Sequence, residues 1–185
     1  MARALDDVAA GQSIFVDSAI FVYHFTAASP QCRRFLERCE TLAFEAITSA
    51  GVLAEVTHRL MAIEAVSRRL VTPGNVARKL AESPEVVRKL SSYHRCVESI
   101  PLMGIRVVGL GLSDLLGAHE LRVRHGLLTN DSLVAATALE LTPSLASADA
   151  AFERVAGLTV FAPNDVAGGG PVEKGARRPP QRPRR

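Results

Sequence analysis

No stretch of this 185-residue chain carries the roughly 20 consecutive apolar residues that a bilayer-spanning helix requires. The longest apolar run, Ile105 to Leu112, is broken by Arg106 and by glycines, which excludes a membrane-spanning segment. The first residues lack a basic start followed by an apolar run and carry Asp6 and Asp7 instead; a cytoplasmic protein is therefore expected. Cysteine is scarce: Cys32, Cys39 and Cys96 form no CxxC pair, and no histidine stands at zinc-ligand spacing. A disulfide framework and a zinc site are excluded, and the three residues read as buried thiols in a reducing compartment. The five histidines are scattered through apparent helices, and His24, at the end of an apolar run, is the one best placed for a general base. The chain contains no internal repeat.

What is present divides in two. Residues 1–166 hold 16 Lys and Arg against 18 Asp and Glu, a net of −2, whereas residues 167–185 hold six basic side chains against Glu173, a net of +5. The high pI thus belongs to the end of the chain, and the rest is slightly acidic. Gly168, Gly169 and Gly170 open this end, and Pro179, Pro180 and Pro183 punctuate its arginines. Such a composition cannot bury enough apolar surface to fold, so 167–185 is expected to be a disordered basic tail. The 48% hydrophobic content assigns residues 1–166 to one compact domain.

Short apolar runs alternate with helical periodicity along that domain. Ser13 to Asp17 reads as a buried strand ending in an acid, followed by a helix over Ser18 to Phe25. A second helix begins at Pro30, with Cys32, Phe35, Leu36 and Cys39 on one face, and Leu42 to Ile47 reads as a strand. Val52, Val56, Leu60 and Ile63 mark a long helix from Gly51 that Thr72-Pro73-Gly74 ends, with Glu55 on the flank of its apolar stripe. Next comes a helical arm, in which Ser83 caps and Pro84 opens one helix running through Leu90, Tyr93 and Val97 to Ile100. Ile105 to Leu110 gives a strand, Ser113 caps a helix that Gly126 stops, and Asn130-Asp131 opens an Ala-rich helix through Leu141. Ser144 to Ala148 is a strand ending at Asp149, a one-turn helix runs through Phe152, and Leu158 to Phe161 is the last strand. This alternation predicts a three-layer α/β/α fold with a central, mostly parallel sheet, whose sites form beyond the carboxyl ends of the strands.

Asp17 and Asp149 lie at such ends, and Asp131 starts a helix that should run back along the sheet. Taken singly, Asp17, Asp131 and Asp149 read as N-caps and Glu55 as a side chain favoured by a helix dipole. Their surroundings argue for more: each sits in largely apolar sequence, where an ionised group is costly. Several carboxylates at one edge repel unless a cation joins them. Mg²⁺ or Mn²⁺ suits a few carboxylates, and such an ion acidifies water and neutralises charge on phosphate oxygens, so hydrolysis of a phosphodiester is the natural chemistry.

The ordered blocks IFVDSAIFVYHF, TSAGVLAEVTHRL, GLLTNDSLVAATALE and SADAAFERVAGLTVFAP resemble the PIN domain over about residues 13–163. The resemblance implies that Asp17, Glu55, Asp131 and Asp149 are the metal-binding and catalytic acids, that Ser147 is the small hydroxyl residue before the last acid, and that Asn130 is a supporting neighbour. The nearest flavour is the VapC-like toxin of toxin–antitoxin pairs, which implies a metal-dependent endoribonuclease, a homodimer, RNA as substrate and an antitoxin partner. Two departures stand out. Ala19 replaces the Ser, Thr or Asn that many members carry two residues after the first acid, and the arm from Thr72 to Ile100 is longer than minimal.

Two other readings compete. A phosphatase of the haloacid dehalogenase type also begins with an acid after its first strand, but it needs Asp-x-Asp, and Ala19 leaves it without a general acid. A PIN-fold scaffold that has lost nuclease activity is opposed by the presence of all four acids. The arginines of the tail either neutralise phosphates or only solubilise the chain end. On the arm, Arg88, Lys89 and Arg95 lie off the apolar face and read as solvated.

Overall fold

The computed structural model describes residues 1–166. Six strands form one sheet: β1 (Arg3–Ala4), β2 (Ser13–Val16), β3 (Glu45–Ser49), β4 (Ile105–Val108), β5 (Ser144–Ala146) and β6 (Thr159–Ala162). They lie in the order β1-β6-β5-β2-β3-β4, and every adjacent pair is parallel. The sheet is thus wholly parallel, where the sequence predicts only that it is mostly so. Strand β1 is an addition, since two residues carry no period to read. The central strands β2 and β5 are buried almost residue by residue, as expected of parallel strands covered by helices on both faces. Phe15, Phe21, Phe35, Phe152 and Phe161 are the largest fully buried side chains of the core.

Helices α1 (Ser18–Phe25) and α2 (Pro30–Glu40) join β2 to β3. Asp17 caps α1, and Ser29 caps α2 by accepting from the Cys32 N–H at 3.0 Å, with Pro30 in the first turn. Burial of Cys32 and Cys39 along α2 pushes their thiols up to about 11 and about 12, so both are inert packing groups. Strand β3 begins at Glu45, three residues later than the pattern suggests, because Leu42 turns out to solvent with a positive φ of 54°. Ser49 ends β3 and caps α3 (Ala50–Ser67), its hydroxyl accepting from Val52 N–H at 3.2 Å.

The arm departs most from expectation. Helix α3 stops at Ser67 rather than at Thr72, and α4 (Val76–Glu82) forms a short helix of its own. The single helix expected over Pro84–Ile100 is broken into α5 (Pro84–Val87) and α6 (Ser92–Ser99), and Ser83 makes no side-chain cap. The cause lies elsewhere in the chain. The buried Glu64 carboxylate of α3 accepts from Ser91 N–H at 3.0 Å and from Tyr93 N–H at 3.1 Å, while Arg68 Nη1 donates to the Lys89 carbonyl. These contacts satisfy backbone groups that a continuous helix would have paired internally.

After β4, the helix expected between Ser113 and Gly126 is also two: α7 (Leu112–Gly117) and α8 (His119–His125). Asp114, not Ser113, serves the α7 N-terminus by accepting from Gly111 N–H. Gly126 ends α8 as predicted, with a φ of 63°. Helix α9 (Thr129–Leu141) then runs back beside the sheet, burying Val134, Ala135 and Ala138. A 3₁₀ turn over Ala150–Arg154 links β5 to β6. The tail expected at 167–185 lies outside the described residues.

Candidate functional site

Because all six strands are parallel, their carboxyl ends share one edge, and chain order reverses between β2 and its neighbour β5. Ligands of open parallel sheets bind at such a reversal. Asp17, directly after β2, is buried there. Its Oδ1 accepts from Ser18 N–H at 2.6 Å and its Oδ2 from the Ser147 hydroxyl at 2.7 Å. Ser147 Oγ in turn accepts from Asp149 N–H at 3.1 Å, and Asp149 Oδ1 accepts from Ala151 N–H at 2.7 Å to cap the 3₁₀ turn. One serine therefore fixes both the acid beyond β2 and the backbone of the acid beyond β5.

Glu55 enters from the other side of β2. It sits in the second turn of α3, and its Oε1 accepts from Ser18 Oγ at 2.8 Å. Arg59, one turn further along α3, donates from Nη1 to Ser18 Oγ at 3.2 Å and stands 3.6 Å from Glu55 Oε1. Asp131 is the third residue of α9 and not its cap, a position held by Leu128. A cavity of about 20 Å³, lined in part by Gly51, Glu55, Leu110, Asn130 and Val134, separates the starts of α3 and α9. Gly51 lets Leu110 approach closely here, since a Cβ would meet Leu110 Cδ1 at 2.9 Å and make that side chain shift. Asn130 is exposed at the rim.

The acids feel one another. Burial pushes the Asp17 carboxyl up to about 6; hydrogen bonds from Ser147 and Ser18 oppose the rise, the charge of Glu55 adds to it, and Arg59 offsets it. Asp131 is also held above the usual carboxylate range, by burial first and then by Asp149 and Glu55, against the Leu128 N–H and Arg154. Among the described residues, however, no three His, Cys, Asp or Glu side chains stand close enough as placed to hold one ion. The donors still fit a hard divalent cation: each is a carboxylate, and two are raised partly by neighbouring negative charge that a cation relieves.

The structure thus brings Asp17, Glu55, Asp131, Asp149 and Ser147 to one edge. His24 lies apart from it: half-buried at the end of α1 within the fields of Glu40, Arg33 and Glu37, it is lowered in pKa by burial, and its Nδ1 has no hydrogen-bond partner among the described residues. Ser18 and Arg59 were not legible as members of this group. The four-residue spacing of Glu55 and Arg59 on one helix was the available signal. Ser18 also supplies a hydroxyl beside the position where Ala19 departs from the family pattern.

The PIN domain matches residues 14–158 of the chain. Among solved structures, VapBC2 from Rickettsia felis bound to a DNA fragment from their promoter is similar with a TM-score of 0.54 at 17% identity, over 82% of this chain and 98% of that one. FitAcB from Neisseria gonorrhoeae gives a TM-score of 0.42 at 18% identity, over 80% of this chain and 96% of that one. No curated protein matches. A family match over most of the residues, on a parallel α/β fold with acids gathered at its chain reversal, leads to one conclusion: the chain belongs to the PIN domain family.

Proposed function

We propose that this protein is an endoribonuclease dependent on Mg²⁺ or Mn²⁺ that acts as the toxin of a toxin–antitoxin pair. PIN domains are generally nucleases, and the observation that carries the reading is Asp17, buried at the sheet's chain reversal and tied through Ser147 to Asp149, with Asp131 raised by burial and by the charges of Asp149 and Glu55. The four acids would hold the metal. When bound, it would acidify water and neutralise charge on the phosphate oxygens. Ser147 keeps Asp17 and Asp149 in register, and Ser18 holds Glu55.

An antitoxin, a second copy of the chain and RNA are the partners this reading carries, and a cytoplasmic location goes with them. The likeness to VapBC2 supports the toxin assignment, and the exposed Leu112, Leu116 and Val123 on α7 and α8 are consistent with a protein partner. No helix among the described residues is long and apolar enough to cross a membrane. Residues 167–185 enter the reading through charge alone. Their removal should flatten the salt dependence of RNA affinity by up to about 0.7 in log–log slope per lost phosphate contact.

The test is cleavage mapping of total RNA with added Mg²⁺ or Mn²⁺ against an Asp17→Asn control. Cleavage should need metal, stop with EDTA, leave 5′-phosphate and 3′-hydroxyl ends, and fall on the order of a hundred- to a thousandfold in the variant. A 2′,3′-cyclic phosphate product, or equal cleavage by the variant, overturns the proposal. The second reading, a PIN-fold scaffold without activity, is favoured by the lack, among the described residues, of any three acids placed to share one ion. It predicts no metal binding by the wild-type chain.

A further inference from the structure

Among the four acids, Glu55 is the one paired with a guanidinium. Its Oε1 accepts from Ser18 Oγ at 2.8 Å and faces Arg59 Nη1 at 3.6 Å, while Arg59 also donates to that same Ser18 hydroxyl at 3.2 Å. Arg59 is therefore tied to the acid cluster through two partners. The nearby Arg154 acts on Asp131 only through its field, its Nη2 being directed to the Gly126 carbonyl at 3.5 Å. An ordinary surface pair four residues apart on a helix joins two side chains and nothing else. This one reaches off α3 to the residue that follows Asp17.

We infer that Arg59 is a built-in counter-ion that competes with the divalent cation for Glu55 and so sets the metal affinity of the site. The inference rests on the metal-site reading above. Its physical basis is simple: a guanidinium and a dication repel, and they draw on the same carboxylate oxygen. Filling the site requires Glu55 to be shared with, or released from, Arg59. Both side chains are partly exposed, 29% for Arg59 and 30% for Glu55, so rotamer changes can make that exchange without rebuilding α3. Arg59 is thus a positioning residue, acting through Glu55.

The experiment is Mn²⁺ titration of the full chain, followed by electron paramagnetic resonance of the free ion, for wild type, Arg59→Gln and Arg59→Lys. Arg59→Gln should bind Mn²⁺ about fivefold tighter, the factor expected for a partly exposed charge pair. Arg59→Lys keeps the charge and should remain near wild type. In thermal melts, metal-free Arg59→Gln should have a lower midpoint than wild type, because a positive charge has left a cluster of acids, and its gain on adding Mn²⁺ should be larger. Unchanged or weaker binding by Arg59→Gln overturns the inference, as does equal tightening by Arg59→Lys, which would make shape rather than charge responsible. If neither wild type nor any variant binds Mn²⁺, the metal-site reading itself falls and this inference falls with it.

Discussion

Asp17 and Glu64 are both carboxylates only 7% exposed, and their acidities move in opposite directions. Burial works to raise each. At Glu64 the rise is overcome by N–H groups of Ser91, Tyr93 and Ser92 and by Arg68, which together hold the carboxyl down to about 2. At Asp17, hydrogen bonds from Ser147 and Ser18 do not suffice, the charge of Glu55 works against them, and the carboxyl stands at about 6. Burial alone therefore does not mark a functional acid; the balance of donors and neighbouring charge does. Glu64 is saturated by its own chain and serves architecture. Asp17 is under-compensated, as a cation-binding position should be.

Breaking Glu64 should give the larger effect on stability. Glu64→Ala strips the partners from the backbone at the start of α6 and leaves Arg68 Nη1 without its carboxylate. The expected cost is about 3–5 kcal/mol in urea unfolding, with the gain on adding Mn²⁺ unchanged because the acid edge is untouched. A cost below about 1 kcal/mol would show that the arm does not depend on this anchor.

This anchor also explains where the sequence misled. The apolar spacing from Val86 to Ile100 is compatible with one helix, and only a carboxylate about 27 residues earlier in the chain, as in the Glu64–Ser91 contact, divides it. Periodicity cannot register such a tertiary contact. At α7 the competition is local, Asp114 taking the Gly111 N–H three residues back, and the two-residue strand β1 is too short to carry a period. By contrast, β2, α1, α2 and β5 were legible because their apolar runs are bounded by capping residues, Asp17 and Ser29 among them, that act locally. The positions of Asp17 and Asp149 were legible for a related reason, since an acid directly after a buried strand in a parallel fold has few places to go, whereas Glu55 and Asp131 stand on helices and were singled out by the family resemblance. Arg59 was not, because its role depends on the side-chain geometry of Ser18, on another helix.

The comparison can be sharpened by pH in the metal-free protein. Asp17 stands at about 6 in the fold against 3.8 for the free group, so its contribution is full below about pH 4 and is lost as pH rises through about 6. Glu64 stands at about 2 against 4.5, so its contribution is present above about pH 4.5 and is lost as pH falls through about 2. Their sum peaks near pH 4. The decline contributed by Asp17 on the alkaline side is about 3 kcal/mol. Denaturant unfolding between pH 3 and 8 should show that decline in wild type and a flatter line in Asp17→Asn, while Glu64→Gln should flatten only the acid side. An Asp17→Asn profile parallel to wild type above pH 4 would remove Asp17 from the set of strained acids.

The smallest effect is expected at Asp131, which lies between these two extremes: partly buried, and raised by burial and then by Asp149 and Glu55. In Asp131→Asn the metal-free protein loses repulsion within the cluster and also loses a negative charge from the first turn of α9, which the helix dipole favours by about 0.3–1 kcal/mol. The two changes oppose each other. The midpoint without metal should accordingly shift by no more than a few degrees. Metal separates the possibilities. Wild type with ligand at about 100 times its dissociation constant should gain roughly 2.7 kcal/mol, and the variant should gain less at the same concentration because one of four carboxylates has become an amide. Thermal melts of both proteins, with and without Mn²⁺, measure this directly. Equal gains would show that Asp131 serves only the start of α9, leaving Asp17, Glu55 and Asp149 to hold the ion.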